Sequence, residues 1–218
     1  MKKKYIFFDL DGTIVDSREG IVNSVEYALK KFQIDVDDRM DLCKFIGPPL
    51  RESFKYYYNM NDREVERAVN AYRENYSVKG IFENKIYDGI EEMLDNLRRE
   101  GLNLVLATSK PYIYANQILD YLNLKKYFSF VSGSKMNGKE DKAEVISYAM
   151  ESLNIDNPSK ILMVGDRKYD ILGAKKIGIE SIAVLYGFGN IDEFEEYGAD
   201  HIISNVEELE NMIIDISI

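Results

Sequence analysis

Short apolar runs that stop abruptly at small or polar residues recur through this chain, with helical-period stretches between them. Tyr5–Phe8, Leu102–Ala107, Phe128–Val131, Lys160–Val164, Glu180–Val184 and His201–Ile203 read as strands, most of them apolar enough to be buried on both faces. Ile113–Leu122, Ala143–Leu153, Ile171–Ile177 and Val206–Ile213 read as the helices that separate the later ones. Strand and helix in alternation predict a parallel sheet covered on both sides. The first run belongs with that set, yet the segment that follows it is helical throughout. Ile21, Val22, Val25, Ala28, Leu29 and Phe32 keep the helical period behind a cap at Ser17 or Asp16, and Gly47-Pro48-Pro49 separates them from further helical patterns.

The reading is therefore an α/β chain with a Rossmann-like parallel-sheet core from residues 1–16 and 82–218, and an inserted all-helical domain from residues 17–81. At 218 residues, with 45% hydrophobic and 30% charged residues, such a chain buries a sizeable core without disulfide staples. The net charge of −10 argues against a nucleic-acid binder, so an anionic ligand would need local charge or a metal. One cysteine, Cys43, and one histidine, His201, leave little material for zinc sites or histidine-based triads, and both read as packing residues. The apolar stretch at the start meets Asp9 too early for a signal peptide, and no apolar run is long enough for a membrane span. A cytoplasmic protein with no membrane partner is expected.

Chemistry in open parallel sheets collects where strands end. The first strand ends in Asp9 and Asp11, the second in Thr108 and Ser109, and the fourth in Gly165-Asp166 with Asp170 one helical turn later. Lys142 opens the helix before that fourth strand, after Asp141 as its cap, and is preferred over Lys135 and Lys139. Four carboxylates on one rim repel one another unless a cation offsets them, and an all-oxygen set suits a hard divalent ion such as Mg2+. Thr108, Ser109 and Lys142 supply donors that a phosphoryl group accepts.

Asp9-Leu10-Asp11-Gly12-Thr13, Thr108, Lys142 and Gly165-Asp166 to Asp170 resemble, in order and placement, the four motifs of the haloacid dehalogenase superfamily. The helical insertion after the first motif is similar to that family's cap domain. The resemblance implies a phosphoric monoester hydrolase acting on a small soluble phosphomonoester, with Asp9 as nucleophile and Asp11 as general acid and base. It implies a magnesium site at Asp9, Asp166 and the backbone carbonyl of Asp11, with Asp170 direct or one shell out, and phosphate contacts from Thr108, Ser109 and Lys142. Arg51, after Gly47-Pro48-Pro49-Leu50, is either a substrate-anion contact of the cap or an exposed helix-start arginine.

Within the family the chain looks like the phosphoglycolate-type phosphatases, including Thr108-Ser109-Lys110-Pro111. It departs from them at Lys142-Ala143-Glu144, where that subgroup carries Pro-x-Pro after the lysine, and at Asp88, where proline is common. A nucleotide or sugar phosphate is an equal substrate class. A sugar-phosphate mutase of the same family and a non-catalytic phosphate-ligand binder are the alternatives. A calcium loop at Asp9 and Asp11 fails because its sixth position is Ile14 rather than glycine.

Overall fold

The structure is a computed structural model and describes residues 2–136 and 141–217. The chain groups into two compact units, Met1–Asp16 with Ile86–Ile218, and Ser17–Lys85. The division after Lys85 lies beyond the last helical pattern because a 3-10 turn, Gly80–Phe82, and Asn84, whose Nδ2 donates to Ile81 O at 2.7 Å, prolong the smaller unit.

In the larger unit the first strand, β1 (Tyr5–Phe8), is followed by the short β2 (Val15–Asp16), which pairs with β3 (Lys85–Ile86) in a separate two-stranded sheet. Then come β4 (Asn103–Pro111), β5 (Phe130–Ser134), β6 (Ile161–Gly165), β7 (Glu180–Val184) and β8 (His201–Ile203). The six long-range strands form one sheet in the order β5-β4-β1-β6-β7-β8, and every recorded pair in it is parallel. This is the α/β, Rossmann-like arrangement that the alternating pattern predicts.

Hydrophobic burial explains why β1 and β6 are central. Phe7, Val105, Met163 and Ile161 face one core shared with Val145, Ile146 and Ala149 of α6 (Lys142–Ser152) and Ala174 of α7 (Lys168–Ile177). Covered strands need apolar residues at nearly every position, and β6 is buried along its whole length.

Apolarity ends at Ala107, which predicts that Thr108 and Ser109 follow the second strand. β4 instead continues to Pro111, because backbone pairing with β5 carries on past the apolar stretch, with Ala107 opposite Ser132 and Thr108 opposite Gly133. For the same reason β5 runs over Phe130–Ser134 rather than Phe128–Val131: pairing, not side-chain apolarity, sets its end.

The smaller unit contains α1 (Arg18–Lys30), α2 (Leu50–Tyr58) and α3 (Asp62–Tyr76) with a 3-10 segment at Arg39–Phe45. Cys43 is half-buried in that segment, and Phe45 packs against Phe54, Tyr57 and Tyr58. In the larger unit His201 lies 2.7 Å from Glu180 on the neighbouring strand, a structural contact.

The start of α6 is fixed by its cap. Asp141 accepts from the Glu144 amide at 2.9 Å, and the Glu144 side chain accepts from the Asp141 amide at 2.8 Å, a reciprocal capping box. Asp141 also pairs with Lys176 of α7 at 2.7 Å, and that contact, the largest cause, holds its carboxyl below the usual range. Replacing Asp141 with Ala should lower stability by about 1 kcal/mol, while Asp141→Asn retains most of the cap. Urea unfolding checks this; equal midpoints for wild type and Asp141→Ala would remove the cap from the account.

Candidate active site

The strand order reverses direction around β1, which has β4 on one side and β6 on the other, so a crevice opens at the carboxyl end of β1. Asp9 follows β1 there, and its amide donates to Val164 O of β6 at 2.9 Å. Asp166 follows Gly165, the last residue of β6, and Asp170 lies in the first turn of α7. Each of the three offers a carboxylate oxygen, and those oxygens lie within 4.8 Å of one another. Asp170 comes so close to the strand end that a Cβ on Gly165 would sit 2.1 Å from Asp170 Cγ, so only glycine fits.

Lys142, the first residue of α6, reaches into this group. Its Nζ lies 2.9 Å from Asp9 Oδ1 and 2.7 Å from Asp170 Oδ1, and donates to Ala107 O at 3.0 Å. Burial works against the ammonium, but Asp170 and Asp9 outweigh it and hold its pKa above the ordinary lysine range. Of the two lysines weighed against it, Lys135 is exposed just beyond β5, and Lys139 lies outside the described residues.

Asp166 is fully buried. Its Oδ2 accepts from the Phe188 amide at 2.8 Å, whereas its buried Oδ1 accepts no hydrogen bond among the described residues. Burial first, then the charges of Asp170 and Asp9, push the Asp166 carboxyl well above the usual carboxylate range. Burial likewise raises Asp170 to about 6, with Lys142 pulling the other way. Three carboxylates against one ammonium leave two negative charges in excess when all are ionised. Hard oxygen donors, an unpartnered buried carboxylate oxygen and that excess fit a divalent cation such as magnesium.

Asp11 stands apart from the three. Its carboxylate takes Lys110, with Nζ at 3.0 Å from Oδ1 and 2.7 Å from Oδ2. Thr108 is buried, and its Oγ1 accepts from the Lys110 amide at 3.2 Å. Ser109 is exposed, and its carbonyl accepts from Ser134 Oγ at 2.8 Å. Arg51 belongs to the other unit, where Nε and Nη2 pair with Glu66 Oε1 and Oε2 at 2.7 and 3.0 Å. That fork with Glu66 raises the guanidinium pKa.

Residues 6–184 match the family model described as haloacid dehalogenase-like hydrolase. The chain belongs to that family. It is 39% identical to a 5′-nucleotidase of Pseudomonas aeruginosa, over 95% of this chain and 94% of that one. It is 35% identical to the tyrosine-protein kinase PtkA of Mycobacterium tuberculosis, over 86% of this chain but 64% of that protein. The crystal structure of a predicted phosphatase from Clostridium acetobutylicum superposes with a TM-score of 0.95 at 47% identity, covering 99% of this chain and 100% of that one. As a haloacid dehalogenase-like hydrolase the chain is an enzyme, and among its described residues no helix is long and apolar enough to cross a membrane.

Two contacts at this site have weak sequence signals. Lys110 lies two residues beyond Thr108, past the apolar stretch and where the pairing of β4 with β5 shifts register, so strand alternation does not give its direction. The Phe188 amide is a backbone donor, and its sole trace in the sequence is the Gly187 and Gly189 pair around it.

Raised carboxyl pKa values have a definite stability sign. The folded state keeps protons that the unfolded chain has given up, so the contribution of Asp170 falls as pH rises from 3.8 to about 6. Magnesium, which competes with those protons, should therefore raise the Tm of metal-free protein by several degrees at pH 7.5 and by much less near pH 5. Thermal unfolding with magnesium or with EDTA at both pH values checks this. An equal magnesium effect at both, or none at pH 7.5, contradicts it.

Proposed function

We propose that the chain is a magnesium-dependent phosphatase that hydrolyses a small soluble phosphomonoester through an aspartyl-phosphate on Asp9. The observation that carries the reading is the convergence of Asp9, Asp166 and Asp170, the first and last of them paired with one buried lysine, at the switch point of the sheet. Nucleoside 5′-monophosphates lead the substrate classes, supported by the name of the relative from Pseudomonas aeruginosa; phosphoglycolate and sugar phosphates follow. A cytoplasmic setting goes with this reading, in keeping with a sole cysteine, which cannot form a disulfide within the chain.

In the first displacement a carboxylate oxygen of Asp9 attacks phosphorus, the bond to the leaving oxygen breaks, and Asp11 gives that oxygen a proton. In the second, water attacks phosphorus, the bond to Asp9 breaks, and Asp11 accepts the proton from water. Inorganic phosphate leaves and Asp9 is regenerated. Lys142, Thr108 and Ser109 donate to the transferring oxygens, and a buried donor of this kind counts for roughly 3 kcal/mol. Asp9, Asp166, Asp170 and the carbonyl of Asp11 would hold magnesium, whose chemistry is to neutralise charge shared by carboxylates and phosphoryl oxygens.

Transfer from Asp9 to an acceptor other than water is the second reading. The PtkA relative favours a tyrosine hydroxyl, and a sugar phosphate would make the chain a mutase.

A panel of nucleoside monophosphates, phosphoglycolate and hexose phosphates, each with and without magnesium and without any added acceptor, tests the main reading. Wild-type protein should release phosphate only with magnesium, and Asp9→Asn should lose at least about 1,000-fold in kcat with an unchanged circular dichroism spectrum. Retained turnover in that variant removes Asp9 as nucleophile, and phosphate release that needs a second substrate favours the transferase reading.

Arg51 enters as a contact for an anionic part of the substrate, in exchange for Glu66. Arg51→Met should raise KM for nucleotides about tenfold, worth about 1.4 kcal/mol, and leave p-nitrophenyl phosphate nearly unaffected. Equal losses on both assign Arg51 to the structure of its own helical unit.

A further inference from the structure

Asp166 is the one member of the carboxylate trio with no recorded contact to Lys142, and its surroundings come from a segment that no motif covers. The turn Tyr186–Gly189 follows β7 and closes over Asp166. Phe188 donates its amide to Asp166 Oδ2 at 2.8 Å. A Cβ on Gly187 would lie 2.4 Å from Asp166 Cβ and 2.4 Å from Gly12 O, and a Cβ on Gly12 would lie 2.0 Å from Asp166 Oδ2. The turn is itself tied to the first motif, since Tyr186 Oη donates to Thr13 O at 3.0 Å and the Tyr186 ring meets Tyr87 edge-on at 5.0 Å.

These contacts leave the carboxylate one orientation. Backbone from two loops walls off the side chain, the Phe188 amide occupies Oδ2, and Oδ1 remains buried without a donor. A free carboxylate would turn either oxygen to a cation and lose that freedom on binding; here the freedom is already lost.

We infer that the Tyr186–Gly189 turn is a positioning element for the cation site: the Phe188 amide holds Asp166 so that Oδ1 alone is presented to a divalent metal. The inference rests on the proposed metal role of Asp166. It assigns no chemistry to the Phe188 side chain, and that sets the design of the test. Phe188→Ala keeps the amide, whereas Phe188→Pro removes it and likewise removes the ring.

Magnesium alone is titrated into the intact metal-free protein by calorimetry, with stability in EDTA followed by urea unfolding. Phe188→Ala should bind magnesium within about threefold of wild type. Phe188→Pro should bind at least about tenfold more weakly, the loss typical of removing a partner that orients a metal ligand. Equal affinities for the two variants overturn the inference. Should Phe188→Pro fail to fold, Gly187→Ala takes its place: it keeps the donor but drives a methyl group into Asp166, and wild-type affinity in it overturns the inference as well. Asp166→Asn separates the two levels. Wild-type affinity in Asp166→Asn sinks the metal reading and this inference together, whereas lost affinity there with none lost in Phe188→Pro sinks the positioning role alone.

Discussion

One buried ammonium among three buried or half-buried carboxylates is the constraint from which the rest of the larger unit follows. Lys142 neutralises part of the charge of Asp9 and Asp170, and makes no recorded contact with Asp166. Removing charges from water costs several kcal/mol per ion unless geometry compensates, and here compensation is incomplete within the protein itself. That shortfall appears as carboxyl groups driven upward in pKa, which costs the folded state stability as pH rises above the ordinary carboxylate range. A site left short of positive charge in this way fits a divalent cation.

The sheet supplies the rigidity this needs. Asp9 and Asp166 follow adjacent parallel strands that pair with Phe8 opposite Val164, so strand separation brings them near one another, and the turn after β7 then holds Asp166. Lys142 and Asp170 begin α6 and α7, and the apolar faces of those helices lock into the same core as Phe7 and Met163. A change of one methylene in that core would be felt at the site, because packed interiors transmit strain rather than absorb it. Fold and chemistry are thus joined through the short distance between strand ends and helix starts.

Much of this was legible in the amino-acid order, and for identifiable reasons. A run covered on both faces is apolar at nearly every position, so Tyr5–Phe8 stands out with its observed bounds, and Glu180–Val184 and His201–Ile203, each opened by a polar residue, keep theirs too. Asp9, Asp166, Asp170 and Lys142 could be grouped because their order and spacing along strand ends and helix starts act jointly, where each alone reads as a turn or a solvated residue. β4 and β5 resisted, since hydrogen bonding carried them into Thr108, Ser109, Ser132 and Gly133, where side chains no longer report burial on two sides. Lys110 was overlooked as a result, because its side-chain direction depends on how far β4 continues. The Phe188 amide was invisible in principle: every residue except proline has one, and only the fold selects which amide meets a carboxylate.

The separation of Asp9 from Asp11 shows what the fold adds to a motif. The two residues are chemically identical and two positions apart, yet they face different cations. Asp9 meets Lys142 and the two other carboxylates, whereas Asp11 pairs with Lys110, near the end of β4. In the proposed mechanism the nucleophile is held still among the other carboxylates, and the proton carrier works beside the leaving oxygen without joining the metal ligands through its carboxylate. Two different lysines, Lys142 at the start of α6 for Asp9 and Lys110 at the end of β4 for Asp11, keep the two carboxylates apart. Roles in such a site come from environment rather than from residue type, so one dipeptide step along the backbone can divide attack from proton transfer.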